Sequence, residues 1–531
     1  MAENVIMICG LVLYAAAFLL VMRYNVHMFQ QNGYKNKVQL NWLMQNRERQ
    51  RLLLPSFLAA VLAGGLFCVA TAVIAVFGAT LCLWYFLMLA GQKAKKKLVY
   101  TSRVKRLLAT NVLLAVIFAV LCIVGKSRML AYFTAGLFLL CEPFLVVFSN
   151  VINAPVEKAV KKHYIRDAKR ILAAHKELTV IGVTGSYGKT SVKFFLNALL
   201  QSKFQVLATP ESYNTPMGVV KTIRSSLNPT HEIFICEMGA KNIGDIKELC
   251  DIVHPKHGVI TAIGPQHLES FHSIENIIKT KFELADALPA DGLLFLNGDN
   301  EYIRREKREQ TSIFYGLESF GGEKNTEQGA AAGYRASGLK VSALGTVFTV
   351  TAPDGESAEF QTKIIGAHNV VNIVGAVAVA HTLGISLEEL KLPVRRLQPV
   401  EHRLQLLERG SVTLIDDAYN SNPAGSKAAV DTLALFDGLR ILITPGMVEL
   451  GEKEEEYNYE FGKAAAVSCD YIALVGKRRT EPIARGVLDA GFPEQRLFVA
   501  DKLEEALNYA YALNTEKHKF ILLENDLPDN Y

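Results

Sequence analysis

Apolar positions follow two regimes along this chain. Over the first 150 residues they form long, nearly uncharged runs. From about residue 177 onward, short β-branched runs alternate with amphipathic stretches of helical period. Residues 5–22 are apolar and long enough to cross a bilayer. Few basic residues precede this run and no small-residue cleavage site follows it, so it reads as a retained helix rather than a removable signal peptide. Residues 54–90 are almost uncharged and would reach about 55 Å as one helix at ~1.5 Å per residue, well beyond the ~30 Å hydrocarbon core. Residues 107–124 and 129–148 are two further candidate spans. The alternative, core helices of a soluble domain, fits poorly with stretches so long and so free of charge.

Charge placement sets the expected count. Residues 23–51 carry six Lys/Arg and one Glu, and residues 92–106 carry seven Lys/Arg and no acid. Both should face the cytoplasm under the positive-inside rule. Residues 54–90 must then cross twice, as a tight hairpin of short spans. The expectation is a multi-pass α-helical region at 1–150 with about five spans in the cell membrane. The lipid bilayer is then a partner, and everything after residue 150 is cytoplasmic. A basic, helical connector follows at 151–176.

The remainder reads as α/β. Strands are expected at 179–183, 233–236, 258–263 and 292–296, with amphipathic helices between them, the pattern of a doubly wound parallel sheet. A polar loop at 321–333 precedes alternating β sequence at 339–350 and 359–365, read as an antiparallel addition. A second, Rossmann-like α/β unit begins near residue 392, with strands at 413–415, 441–444, 471–475, 497–499 and 520–523. The net charge of +5 comes from basic residues beside the apolar runs rather than from a nucleic-acid stripe, so no nucleic-acid partner is expected. Of eight cysteines, five (Cys9, Cys68, Cys82, Cys122, Cys141) lie in apolar runs; Cys236, Cys250 and Cys469 are scattered without a C-x-x-C. This usage supports neither a disulfide framework nor a thiolate metal site, and it fits a reducing compartment.

Residues 180–196, VIGVTGSYGKTSVKFFL, carry the clearest chemistry. A β-branched run ends in a turn containing Gly185, Ser186 and Gly188. Lys189, Thr190 and Ser191 follow, opening an apolar-periodic helix. Backbone N–H groups at such a helix start wrap an anion, the lysine neutralises phosphate charge, and the hydroxyl after it can hold Mg²⁺. The spacing G-x-x-x-x-G-K-[ST] is not met, because Val183 stands where its first glycine would be. Glu237, at the end of the apolar run IFIC, is placed to hold Mg²⁺ in a sheet carrying this loop; taken alone it is equally a surface turn acid. His267, in AIGPQHLESF, and Lys281, in IIKTKFELADAL, read alone as a structural histidine and a solvated lysine.

The compact loop TGSYGKTS resembles that of the Mur ligase family, the ATP-dependent amide-forming enzymes of bacterial cell-wall synthesis. The resemblance implies ATP held by Gly185, Ser186, Gly188, Lys189, Thr190 and Ser191. It implies two Mg²⁺ sites, one on Thr190 and Glu237 and one on His267, with a carbamylated Lys281 close to the second. Lys279 is the alternative in that helix. LNGDN (296–300) implicates Asn297 and Asp299 near the nucleotide. GAHNVVN (366–372) looks like the family's adenine-contacting turn and implicates His368, Asn369 and Asn372. EHRLQ supplies Arg403. LIDDAYNSNP (414–423) resembles the third-domain signature, in which Asp417 would contact ribose or phosphates and Tyr419, Asn420 and Asn422 would shape the substrate side. Lys189, His267 and Lys281 are the implied catalytic groups. The likeness spans 177–531, implying a central ATP-binding domain at 177–391 and a C-terminal domain at 392–531. EMGAKNIGDI and HLESF point to the D-alanyl-D-alanine-adding branch.

The implied reaction joins D-Ala-D-Ala to a muramoyl-tripeptide-type acceptor through an acyl phosphate, the acceptor being UDP-linked or lipid-linked. Cations must bridge ATP and the substrate carboxylate, which repel each other. Two features depart from the family. Apolar helices stand where a soluble UDP-gripping domain is expected, and the chain end reads LLENDLPDNY in place of a basic K-G-S-R-like segment. Competing readings are a membrane ligase adding another amino acid to a lipid-linked precursor or a poly-γ-glutamate-type polymer, a P-loop transport ATPase, and an inactive ATP-binding scaffold. EHRLQ with DDAYNSNP argues against the polymer ligase, the lack of an LSGGQ-like signature against the transporter, and intact Thr190, Glu237, His267 and Lys281 against the scaffold.

Overall fold

Long runs of apolar residues satisfy their backbone polar groups within themselves by forming helices, and those described in the first third of the chain do so. A computed structural model describes residues 2–66, 69–91, 97–124, 128–306, 310–317, 333–342, 344–418 and 422–526. The helices of the first unit, which ends at His163, are Ala2–Gln31, Asn36–Gln45, Leu53–Leu66, Val69–Gly91, Ser102–Val124 and the start of Arg128–Ala174. The last of these continues through the expected connector despite Pro143 and Pro155. Residues 54–90 form two helices, as a hairpin requires.

The apolar helices differ in length and composition. Among the described residues, Ile8–Gln31 and Met129–Ala174 are long and apolar enough to cross a membrane, while Leu53–Gly65 and Val73–Met88 are shorter apolar helices. The 14-residue helix Leu53–Leu66 rises only about 21 Å, short of the ~30 Å core. Val69–Gly91 and Ser102–Val124 have 23 residues each, so a helix stands at each of the five expected positions, and among the described residues two of them meet both the length and the composition of a span. The unit packs Tyr14, Phe18, Phe29, Phe86, Leu107 and Tyr132 inside, yet leaves Val12, Leu58, Phe77, Trp84, Leu113 and Phe144 on its exterior. Polar groups are buried instead: the Asn25 amide donates to Glu142 Oε2 (2.5 Å), and the Tyr14 hydroxyl donates to the Ser56 carbonyl (2.5 Å).

The second unit holds two sheets. The first contains β1 (Thr179–Thr184), β2 (Val206–Ala208), β3 (Ile233–Glu237), β4 (His257–Ile260), β5 (Leu294–Asn297), β6 (Ser312–Leu317), β7 (Gly333–Ser342), β8 (Gly345–Thr351) and β9 (Ser357–Thr362). Their order is β2-β3-β1-β4-β5-β6-β7-β8-β9, parallel as far as β7 and antiparallel from β7 to β9. The antiparallel addition is thus present, but residues 339–350 are not one strand. The chain reverses before Gly345, whose φ of +127° suits glycine, and β7 pairs back against β8. Strand β9 also stops at Thr362, short of the expected 365.

Helices Lys189–Leu200 and Ala367–Thr382 cover one face of this sheet, burying Phe195, Leu196, Leu199, Val374 and Val377. Val219, Ile223, Ile246, Leu249 and Phe282 pack in a second core cluster. Helix Leu387–Arg396 opens with a Ser386/Glu389 capping box. It places Leu387, Leu390 and Val394 in the first core, so that domain extends past the expected boundary at 391. The second sheet contains β10 (Gln405–Arg409), β11 (Val412–Asp417), β12 (Leu439–Thr444), β13 (Tyr471–Val475), β14 (Leu497–Ala500) and β15 (Lys519–Glu524), in the order β10-β11-β15-β12-β13-β14. All of its pairings are parallel except β10 with β11.

Phe195 is 2% exposed at the centre of the first core. Phe195→Ala should lower the denaturant midpoint of this unit by an amount equivalent to about 3–5 kcal/mol; a change under ~1 kcal/mol would mean that helix Lys189–Leu200 does not carry the core.

Candidate functional site

Parallel strands present their carboxyl ends on one edge, and that edge collects the residues singled out above. Register places Val183 beside Glu237, Thr184 beside Ile260, and Ile260 beside Leu296. The glycine loop after β1, Glu237 at the end of β3, Thr261 after β4 and Asn297 at the end of β5 therefore sit side by side. Gly188 caps the following helix at φ +78°, and a Cβ there would lie 2.6 Å from Asn372 Oδ1. Gly185, at φ +150°, packs directly on Thr261. The loop is pinned from below: Ser186 Oγ donates to the Gly264 carbonyl (3.0 Å), Tyr187 OH to the Pro265 carbonyl (2.8 Å), and the Thr261 hydroxyl to the Tyr187 carbonyl.

Lys189 folds back on its own loop, donating to the carbonyls of Gly185 (2.7 Å) and Ser186 (2.9 Å). Burial lowers its ammonium pKa to about 8, with the Glu237 charge opposing and Arg403 reinforcing the shift. Thr190 Oγ1 donates to Glu237 Oε1 (3.1 Å), which also accepts from the Asn214 amide (3.1 Å). Glu237 Oε2 is ion-paired with the buried Lys193 ammonium at 3.0 Å. Two hard oxygens side by side, the Thr190 hydroxyl and the Glu237 carboxylate, suit Mg²⁺.

His267 lies past β4 at φ +52°. Its Nδ1 is hydrogen-bonded to Glu449 Oε2 of the second α/β domain, and its Nε2 makes no hydrogen bond among the described residues. Burial lowers the imidazole pKa, whereas the hydrogen bond from His267 lowers the Glu449 carboxyl to about 2. Together these shifts describe a neutral ring donating to a carboxylate. Lys281 is 3% exposed, while Lys279 is exposed. Burial, then the Lys189 charge, hold the Lys281 ammonium well below its ordinary value.

The other positions fall into two groups. Asn297 donates to the Thr261 carbonyl (2.7 Å), Asp299 Oδ2 accepts from the Leu317 N–H (2.9 Å), and Asn369 donates to the Ile365 carbonyl (2.9 Å). These contacts hold the site's walls. His368 is driven down to about 4 by burial and by Arg403. Asp417 ends β11 opposite Glu524 of β15, and burial with the Glu524 charge raises its carboxyl to about 7 against the pull of Arg403. Asn422 caps helix Pro423–Leu433 through Gly425 N–H (2.8 Å), a structural role. Tyr419 and Asn420 lie outside the described residues.

Sequence reasoning missed Lys193, Asn214 and Glu449. Lys193 had a signal, since it interrupts the buried set Val192, Phe195, Leu196; Glu449 had none before its φ of +64° was known. A separate cavity of about 530 Å³, lined by Ser411, Tyr511, Asn514 and Lys517 among others, opens at the amino ends of β11 and β15 and is remote from this edge.

A glycine loop opening a helix at the carboxyl edge of a parallel sheet, with lysine, threonine and a strand-end acid around it, defines a P-loop nucleotide-binding domain. Here a second parallel α/β domain contributes to the same edge. Residues 183–380 match the Mur ligase middle domain, and residues 402–524 match the Mur ligase glutamate ligase domain. Through these two domains the chain belongs to the Mur ligase family.

Among similar proteins is a UDP-N-acetylmuramoyl-tripeptide–D-alanyl-D-alanine ligase of Escherichia coli, 31% identical over 56% of this chain and 65% of that protein. Another is the Bacillus subtilis protein of the same name, 33% identical over 56% of this chain and 62% of that protein. The chain thus spans a little under two thirds of the length of these curated relatives. The solved structure of MurF from Thermotoga maritima in complex with ADP matches with a TM-score of 0.60 and 25% identity, covering 69% of this chain and 80% of that one. MurF from Acinetobacter baumannii shares the fold, with a TM-score of 0.61 and 24% identity over 70% of this chain and 78% of that one.

Asp417 gives a pH signature. Its folded pKa of about 7 lies above the unfolded value near 4, so the folded state binds this proton more tightly. Its contribution is fully present below about pH 4 and is lost as pH rises toward 7. Asp417→Asn should raise Tm relative to the parent at pH 8 and show no such gain at pH 4; equal Tm differences at both pH values would refute the burial argument.

Proposed function

We propose that this chain is an ATP-dependent, ADP-forming ligase that joins D-alanyl-D-alanine to a muramoyl-tripeptide-type acceptor. The observation that carries this reading is the meeting of two domains on one edge, with the phosphate loop and Glu237 from the first, and Arg403, Asp417 and Glu449 from the second. The named activity of the relatives supports it. The match of the second domain to the glutamate ligase domain favours this reading over a polymer ligase lacking that domain, a transport ATPase or an inactive scaffold.

A carboxylate is a poor electrophile at neutral pH, and transfer of the ATP γ-phosphoryl group corrects this. A carboxylate oxygen of the acceptor attacks the γ-phosphorus and ADP departs. The amine of the incoming dipeptide then attacks the acyl carbon, phosphate leaves with the former carboxylate oxygen, and the nitrogen loses a proton. Lys189 spreads the charge on the transferring group. Thr190 and Glu237 would hold one Mg²⁺ and His267 a second, each adding positive charge at the phosphates when bound. Asn297, Asp299, His368, Asn369 and Asn372 would frame the nucleotide.

Lys281 is read as a carbamate. Its burial favours the neutral amine, the form that adds to CO₂ with loss of one proton, and the product reverses the charge beside a cation site. Burial also favours Lys281 over exposed Lys279.

The first unit is read as a multi-pass membrane region standing in place of the UDP-binding domain. Its apolar exterior, its two span-length helices and the basic segments 23–51 and 92–106 support this. Anchoring raises the effective concentration of a lipid-linked acceptor without any new contact.

With ¹⁸O in the acceptor carboxylate, label should appear in phosphate; AMP as a product would end the acyl-phosphate mechanism. Running the assay with UDP-linked and lipid-linked acceptors should show preference for the latter, and equal efficiency would leave the helices as an anchor alone. Lys281→Ala should lose roughly 10²-fold or more in kcat and recover partly with a short carboxylic acid, while Lys279→Ala stays near the parent. The reverse pattern would move the carbamate by two residues.

A further inference from the structure

The contact between His267 and Glu449 joins loops 182 residues apart in sequence, one from each α/β domain. Both residues adopt left-handed backbone conformations, at φ +52° and +64°, which non-glycine side chains occupy only when their surroundings hold them there. The surroundings do so on both sides. The His267 loop is tied to the phosphate loop through the Gly264 and Pro265 carbonyls. The Glu449 loop is fixed by Asn458, which accepts from Met447 N–H (2.9 Å) and donates to the Met447 carbonyl (3.0 Å). Asn525 also donates to the Gly446 carbonyl on that loop (2.6 Å). Lys241 Nζ, 3.6 Å from Glu449 Oε1, engages the second carboxylate oxygen.

The chemistry of this arrangement is specific. A carboxylate on Nδ1 holds the proton there, leaves the Nε2 lone pair available, fixes the ring plane and raises the basicity of the nitrogen. We propose that Glu449 is the positioning residue that makes His267 a ligand for a divalent cation, so that this cation site forms only when the second α/β domain is seated on the first. The proposal rests on the reading of His267 as a metal ligand. Lys241 restrains the Glu449 carboxylate, and no step requires Glu449 to touch metal or substrate.

The test is a Mn²⁺ titration of the full chain with ADP, in which free Mn²⁺ is followed by electron paramagnetic resonance and thermal unfolding is recorded in parallel. Glu449→Gln should weaken one of two Mn²⁺ sites about 10- to 100-fold and leave the other unchanged, and Glu449→Asp should restore part of the loss. His267→Asn separates the two ideas. If it removes the same site while Glu449→Gln changes nothing but Tm, Glu449 is a structural latch and the proposal fails. If His267→Asn leaves both sites intact, the reading of His267 as a ligand fails first. Should the Glu449 variants not fold, ¹⁵N-histidine spectra of the parent decide: the proton should sit on Nδ1 and Cd²⁺ should shift Nε2, and the opposite tautomer overturns the proposal.

Discussion

Removing a lysine and a glutamate from water together demands close mutual compensation, because each ion alone loses several kcal/mol of hydration. Lys193 and Glu237 do this at 0% and 1% exposure, with 3.0 Å between ammonium and carboxylate. The remaining capacity of each is directed: Lys193 donates to the Glu211 carbonyl, and Glu237 accepts from Thr190 and Asn214. One ion pair thereby connects the phosphate-loop helix, the end of β3 and the loop after β2. Without it Glu237 would be an uncompensated charge beneath the loop, and the loop threonine would lose its partner. Burial depresses the Lys193 ammonium, and the Glu237 charge and hydrogen bond oppose that shift.

The rest of the edge builds on that fixed point. Thr261 seals the space beside Gly185, Asn297 holds the Thr261 carbonyl, and the glycines admit contacts that any Cβ would block. The second domain adds its own set of buried acids. Glu524 accepts from Ser426 (2.7 Å) and Thr444 (3.0 Å), and lies beside Asp417 at the end of the neighbouring strand. Within the segment that departs from the family pattern, Glu524 therefore belongs to the sheet edge.

Much of this was legible in the sequence because the signals were local. The loop, the strand that feeds it and the β-branched runs of both sheets are patterns within a few residues, and strands such as Tyr471–Val475 fall where periodicity put them. Three kinds of feature were not legible. Short strands such as Val206–Ala208 have too few residues to show alternation. The turn before Gly345 breaks a run whose β character continues on both sides of it. Lys193 with Glu237, and His267 with Glu449, are pairs made by tertiary packing, and no spacing rule joins residues 44 or 182 positions apart. The five expected spans each became a helix, but span length and composition together single out only two of them among the described residues.

The closure of Lys281 has a consequence for which reagents can reach it. A side chain 3% exposed, set in a helix whose Ile277, Phe282 and Leu284 are buried, sits behind a barrier that charged solutes cross poorly and small neutral gases cross readily. Under the carbamate reading proposed above, carbon dioxide rather than bicarbonate is the reacting species, because the neutral gas adds to a neutral amine. On that reading the occupancy of Lys281 would follow the activity of dissolved carbon dioxide, and so the gas would act as a ligand of the enzyme.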